Sequence, residues 1–283
     1  MMTIQRFRPK TPGNARPFLG AVLALFASAC AVSQQQEVQM GQNYAAQAQQ
    51  QLPMVRDPEV VRYINVLGDS LASVTDDRSL TWHFFIVDSK EINAFAIPGG
   101  YIFVNRGLIE RATSMDQVAG VIGHEIGHVT RRHAIKQMQK AQGTSVGMTL
   151  ACILTNVCNT AVGQSGLIDL AAGGVFAKFS RDDESEADVE GVKTVIRAGI
   201  DPNGIPEMFR ILLEERKVRP GGVDAFFQSH PVEESRIATT QGLIAKYPPA
   251  QLQGLTKDSP NFQDFKKRLQ ALPPSPPPKQ KSP

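Results

Sequence analysis

Apolar side chains recur along this chain with two different periods. From Asp57-Pro58 onward, Val60, Val61, Ile64, Leu67 and Leu71 fall at helical spacing, so one stripe of a helix faces a core. The run Trp82-His83-Phe84-Phe85-Ile86-Val87 is short, aromatic and β-branched and reads as a strand. Asn93-Ala94-Phe95-Ala96-Ile97, the turn Pro98-Gly99-Gly100 and Tyr101-Ile102-Phe103-Val104 read as strand, tight turn and strand. Pro98 has no N–H to give to a ladder, which favours a sheet edge, and at an exposed edge an extended peptide can pair as one more strand. Helical spacing returns in Val118, Val121, Ile122, Ile126 and Val129, with Ser114 and Gln117 as a candidate capping box.

Further helices are predicted from about Arg181 to Ala198, stopped by Gly199 and Asp201-Pro202, and from about Gly204 to Lys217. Another begins at Pro231 with Glu233-Glu234 at its positive end and runs to about Lys246. Between Gly143 and Phe179 the only charged residues are Asp169 and Lys178, which suits a buried helical hairpin, a lid or a surface that touches membrane. Thr155-Asn156 and Asn159-Thr160 interrupt any apolar span of about 20 residues there, which favours burial or a lid. The sum is an α+β chain, mainly helical, with a small sheet. No internal repeat is visible.

The ends have a different composition. Residues 1–29 carry Arg6, Arg8, Lys10 and Arg16, an apolar run from Phe18 to Phe26 and a small-residue end at Ala27-Ser28-Ala29, the form of an export signal. Cys30 follows directly, at the place where a bacterial lipoprotein carries its acylated cysteine, although Ala27 stands where a lipobox prefers Leu and simple cleavage after Ala29 also fits. Residues 30–52 are rich in Gln and Ala and read as an exposed helix or tether, 53–250 as one domain, and 251–283, ending LPPSPPPKQKSP, as a Pro-rich disordered tail. The formal charge of +3 falls to about −1 without residues 1–29, since 26 basic then face 27 acidic side chains, so no basic footprint for nucleic acid exists. Cys152 and Cys158 would sit about 9 Å apart along one helix, too far for a disulfide. A break at Thr155-Asn156 would allow pairing in an oxidising compartment, and two buried thiols fit equally well.

The chemistry concentrates in HEIGH, residues 124–128. Residues four apart on a helix share a face, so His124 and His128 can present two imidazoles to one ion with Glu125 beside the open position. That donor type suits Zn²⁺, one per chain, with the glutamate as proton acceptor. Gly123 and Gly127 each cost about 1 kcal/mol of helix stability relative to Ala, which implies close approach by another element. His133, nine residues past His124, falls on the opposite face of a continuous helix and reads as a surface histidine. A third ligand is offered by Glu184, with Asp188 four residues on to receive a ring N–H; the plainer alternative is a solvated acidic first turn.

Four motifs, NAFAIPGGYIFV at 93–104, HEIGH at 124–128, ESEAD at 184–188 and HPVEESR at 230–236, together resemble the CAAX-prenyl-protease and HtpX-like zinc metallopeptidases, in particular their periplasmic, lipoprotein-type bacterial branch. The resemblance covers about residues 38–248. It implies a zincin-like domain whose edge strand faces the active-site helix. It makes His124, His128 and Glu184 the metal ligands, Glu125 the general base and Asp188 the partner of a ligand histidine, and leaves Glu186 a mere neighbour. The family's late histidine falls on His230, to steady the oxyanion or fill the open zinc position at rest, and its arginine on Arg236. Arg236 joins Asn93, Ala94, Phe95 and Ala96 as the residues expected at the substrate.

The function implied is a zinc-dependent endopeptidase of the bacterial envelope that degrades misfolded, unfolded or misassembled envelope and outer-membrane proteins, periplasmic and anchored to the outer membrane through a lipid on Cys30. The chain departs from membrane-bound relatives by lacking full transmembrane helices, which puts prenylated substrates in doubt. The competing expectation is a chaperone or assembly factor with latched or minor proteolysis. A purely structural zinc site fits poorly, because such sites close four ligands, often cysteines, around the ion.

Overall fold

A computed structural model describes residues 32–140, 179–231 and 234–277. The chain divides at Ser33, and every element below belongs to the unit Ser33–Pro283. Cys30, Cys152, Cys158, the export signal and nearly all of the 143–179 stretch lie outside the described residues.

The first helix, α1 (Gln34–Gln51), opens with a capping box between Ser33 and Gln36. It buries Glu37, Gly41, Ala45 and Ala48 against the sheet and its turn. A Cβ on Gly41 would stand 1.8 Å from the Pro98 carbonyl oxygen, so the contact requires glycine. Glu37 is buried and paired with Arg78 at 2.7 Å and Arg132 at 2.8 Å. Where composition predicts an exposed helix or tether, α1 is therefore part of the domain. Its buried stripe is made of Gly and Ala, which allow close approach without the large side chains that mark a core-facing helix.

Helix α2 (Pro58–Ser73) starts at Asp57, whose carboxylate accepts from the N–H groups of Glu59 and Val60, and it buries Val60, Ile64, Leu67 and Leu71 as the spacing predicts. The sheet holds β1 (His83–Val87), β2 (Ala94–Ile97) and β3 (Tyr101–Asn105) in the order β1-β3-β2. β1 runs parallel to β3, and β2 pairs antiparallel with β3 through Phe95↔Phe103. The turn places Gly99 and Gly100 at φ 86° and 102°, a region that favours glycine. β2 is an edge strand, as Pro98 suggests, and lies alongside the central helix.

After α3 (Arg106–Arg111) that central helix, α4 (Met115–Thr130), is buried from Met115 through Val129. Its start differs from the expected capping box. Ser114 makes no cap bond and donates to Asp116, while Gln117 accepts from the Thr113 N–H at 2.8 Å. The free N–H groups of the first turn go to distant partners, Met115 to Asp258 Oδ1 and Asp116 to the Lys257 carbonyl. Residues 133–140 are again helical, and the described residues from 179 onward hold α5 (Arg181–Arg197), α6 (Gly204–Val218), α7 (Asp224–Ser229), α8 (Glu234–Ile244), α9 (Pro249–Leu252) and α10 (Pro260–Ala271).

α5 lies along α4 at a separation set by glycines. A Cβ on Gly127 would meet the Ala187 carbonyl oxygen and Glu190 Cβ at 3.1 Å, and one on Gly191 would meet the His124 nitrogen at 3.2 Å. The close approach implied by Gly127 is this helix. At the other end of the chain, α10 is no disordered tail: Phe262, Phe265 and Leu269 are buried, and Tyr63 of α2 stacks on Phe265 with ring centres 4.3 Å apart. Arg106 then holds the Leu272 and Pro273 carbonyls. The prolines that read as disorder come only after this helix has joined the core.

Candidate metal centre

α4 and α5 each carry two functional side chains one turn apart, and the glycine contact brings the two pairs together. His124 Nε2 and His128 Nε2 are 3.0 Å apart. Glu184 of α5 puts Oε1 at 3.4 Å from His128 Nε2 and Oε2 at 3.6 Å from His124 Nε2. His230, just past α7, adds Nδ1 at 3.0 Å from Glu184 Oε1 and 3.4 Å from His124 Nε2. The four donor atoms lie within 4.8 Å of one another and all four residues are buried. Ligand atoms about 2.0–2.1 Å from a tetrahedral zinc stand about 3.3 Å from each other, so the observed separations fit such an ion.

Glu125 supplies the second test of fit. Both its carboxylate oxygens are buried without a hydrogen-bond partner among the described residues, and the nearer approach is His230 Nε2, 3.4 Å from Oε1. A buried carboxylate costs free energy unless something engages it. Burial pushes its pKa up, against the lowering influence of His230 and His124. A carboxylate placed so, beside a nitrogen and oxygen donor set, is the arrangement a catalytic zinc site requires.

The surrounding charges shift the donors in different directions. Burial raises the Glu184 carboxyl, but His230, His124 and His128 outweigh it and hold the group well below its usual range, hence ionised. Burial also drives His128 well below an ordinary histidine, hence neutral, with its ring stacked on Phe179 at 3.9 Å. His124 feels the same burial, yet Asp188 and Glu184 lift it to about 9. Its Nδ1 lies 3.0 Å from Asp188 Oδ1. Asp188 is in turn gripped by Arg236 through Nη2 at 2.6 Å and Nε at 3.0 Å, and Arg236 also reaches Glu184 Oε2 at 2.6 Å.

The structure thus gathers His124, Glu125, His128, Glu184, Asp188 and His230 in one buried cluster. Arg236, expected at the substrate, has its guanidinium on Glu184 and Asp188 and over the Phe209 ring. Of the expected substrate strand, Ala94, Phe95 and Ala96 lie in β2, and Asn93 precedes it. A small cavity between that strand and the end of α4 is lined by Ala96, Pro98, His128 and Phe179, with Glu37 and Arg132 also contributing.

His133 corrects the sequence reading. It is fully buried, with Nδ1 2.9 Å from His128 Nδ1 and Nε2 2.9 Å from Glu186 Oε2. α4 stops at Thr130, Arg131 caps it and Arg132 takes φ 58°, so the chain turns and the helical wheel no longer applies at His133. No Gly, Pro or Asn marks that break in the sequence. Phe179, the other residue missed, borders a stretch whose composition gave no sign of the site.

Comparison with known proteins agrees with this geometry. The profile of peptidase family M48 matches residues 56–244. The chain belongs to peptidase family M48. Among M48 relatives, it is 34% identical over 212 residues to the beta-barrel assembly-enhancing protease of Escherichia coli (strain K12), covering 72% of this chain and 42% of that protein. It is 30% identical over 178 residues to the metalloprotease LoiP of the same strain, covering 63% and 68%, and 26% identical over 211 residues to the mitochondrial metalloendopeptidase OMA1 of Schizosaccharomyces pombe, covering 72% and 59%. The chain spans less than half the length of the assembly-enhancing proteases it matches. M48 enzymes use zinc, and His124, His128, Glu184 and His230 are grouped here as a possible site for it.

Proposed function

We propose that this chain is a zinc-dependent endopeptidase of the bacterial cell envelope that cleaves misfolded or misassembled outer-membrane proteins. One observation carries the reading: two imidazoles and a carboxylate converge on one point beside a buried carboxylate, Glu125, that has no hydrogen-bond partner among the described residues. Zinc in such a site supplies Lewis acidity and lowers the pKa of a water toward neutrality. The protein's own contribution follows from its atoms. Glu125 takes the water proton on a carboxylate oxygen and delivers it to the leaving amine. The edge of β2 pairs with the substrate backbone and holds the scissile carbonyl against the centre. His230, between Glu125 and Glu184, either completes the donor set at rest or, once displaced by substrate, faces the carbonyl oxygen.

The compartment and the anchor belong to the same proposal. The signal pattern ending at Ala29, Cys30 behind it and the beta-barrel assembly named in the relatives support a periplasmic lipoprotein of the outer membrane. No helix among the described residues is long and apolar enough to cross a membrane. Mass spectrometry of the processed N-terminus tests the anchor, with a tri-acylated Cys30 as the expected result and an unmodified one as the contrary result.

Glu125→Gln is the decisive variant for the activity. It should bind zinc like the parent and cleave a denatured β-barrel protein about 10³-fold more slowly. Full cleavage by the variant would end the peptidase reading. Absent cleavage with intact promotion of barrel assembly would instead favour the chaperone reading.

A further inference from the structure

We propose that His133 and Glu186 form the outer support of the zinc ligand His128, a role the HEIGH and ESEAD motifs do not assign. The proton count fixes the direction of every bond. His128 points Nε2 at Glu184 and His124, so that nitrogen must present a lone pair to a metal and the single ring proton sits on Nδ1. Among the described residues that N–H is directed to His133 Nδ1 at 2.9 Å, which must therefore be bare. The His133 proton is then on Nε2, where it donates to Glu186 Oε2 at 2.9 Å. A carboxylate at one end thus sets the tautomer of two rings and leaves His128 as a ligand.

The surroundings hold the relay in register. His133 is fully buried, and the left-handed turn at Arg132 carries its ring back under α4. Glu186 sits on the same face of α5 as Asp182 and Glu190, beyond the ligand Glu184, with Lys136 Nζ at 3.7 Å and Arg131 Nη1 at 3.9 Å keeping it anionic and placed. Partners of this kind orient a ligand imidazole and raise its basicity, and losing one typically weakens metal binding roughly 10- to 100-fold. His133 is a positioning residue: it touches neither the ion nor the substrate.

The inference rests on zinc binding at this centre and not on hydrolysis. The test is the zinc dissociation constant of the full-length protein, by chelator competition, together with the visible spectrum of the cobalt-substituted form and the melting temperature of the metal-free protein. His133→Phe keeps the ring volume and removes the acceptor; it should weaken zinc roughly 10- to 100-fold and shift the cobalt bands with the metal-free melting temperature near the parent's. His133→Asn sets an amide oxygen where Nδ1 stands, so it should restore most of the affinity. Glu186→Ala should weaken zinc in the parent but change nothing further in the His133→Asn background. If His133→Phe does not fold, the Asn and Glu186 variants carry the comparison alone. Parent-like affinity and cobalt spectra in His133→Phe and Glu186→Ala, or in Glu186→Ala alone where His133→Phe does not fold, overturn the proposal whatever the melting temperatures and leave the peptidase reading intact; a parent that binds no zinc overturns both.

Discussion

The two histidines proposed as ligands, His124 and His128, share one helix turn but stand on unlike foundations. Behind His124 is a carboxylate, Asp188, buried and clamped by the two-pronged grip of Arg236. Behind His128 is a neutral ring, His133, that passes the load to Glu186, whose side chain is 43% exposed. The first arm is a closed set of charges shielded from solvent, and the second ends in water. A buried pair depends on both partners being present, because a lone charge left behind has no hydration. A surface carboxylate is replaceable by solvent and screened by salt. The arms therefore differ in what each loses when cut.

The largest effect is expected on the closed arm. Asp188→Ala removes the partner of His124 and two of the bonds that hold the buried Arg236 guanidinium, which keeps only its hydrogen bonds to Glu184 and the Pro231 carbonyl among the described residues. We expect a loss of about 3–5 kcal/mol in chemical denaturation of the metal-free protein, with zinc binding weakened as well. The same measurements on Glu186→Ala should give less than about 1 kcal/mol of stability, with an effect on zinc that shrinks as salt is raised. Equal losses from the two variants would mean that the arms are not distinct.

How legible the two arms are in the sequence follows the same division. Glu184 and Asp188 are four apart on one uninterrupted helix, so spacing alone puts them on one face, as it does His124 and His128. His133 is beyond a helix end that nothing in Arg131-Arg132 announces, and periodicity carries no information across a left-handed residue. The strands, their turn and the edge position of β2 were readable because Gly and Pro mark them. α1 and α10 were not, for opposite reasons: one buries only Gly and Ala below its glutamate, and the other precedes a proline run that dominates the local composition. Arg236 is legible as a family residue, but its partners lie on another helix and only the folded chain pairs it with them.

A second buried aspartate shows what the Arg236 clamp does to Asp188. Asp116, in the first turn of α4, is gripped by no cation among the described residues; burial raises its pKa to about 6, with Glu207 and Asp201 adding to the rise and the Ser114 hydroxyl and Lys257 opposing it. Asp188 is also buried, yet His124 and Arg236 pull its pKa below the ordinary value of 3.8. The signs are opposite. Asp188 contributes stability that is present above the unfolded carboxyl pKa and lost as pH falls. Asp116 binds its proton more tightly folded than unfolded, so its share of stability is present at low pH and lost as pH rises from about 4 to about 6. Asp116→Asn should remove that decline, with denaturation midpoints of variant and parent diverging across this window by the equivalent of about 1–2 kcal/mol. Parallel curves would show that Asp116 is solvated well enough to titrate normally.

The smallest effect concerns what the arms share. Both rest on α5, and α5 rests on the glycines of α4, so a substitution there tests both supports at once. Gly123 and Gly127 are one turn apart and equally unfavourable for an isolated helix, about 1 kcal/mol each relative to Ala. Their surroundings differ. A Cβ on Gly123 would meet nothing nearer than the Gly191 carbonyl oxygen at 3.4 Å, ordinary contact, whereas one on Gly127 meets backbone oxygen at 3.1 Å, and backbone yields only if α5 moves. Gly123→Ala should therefore keep most of the helical gain and raise stability by up to about 1 kcal/mol. Gly127→Ala should lose that gain to displacement of α5 and end near or below the parent. Because Glu184, Asp188 and Glu186 all ride on α5, that displacement should weaken zinc binding through both arms. A Gly127→Ala protein with parent-like zinc affinity would show that the spacing of the two helices is not what sets the metal site.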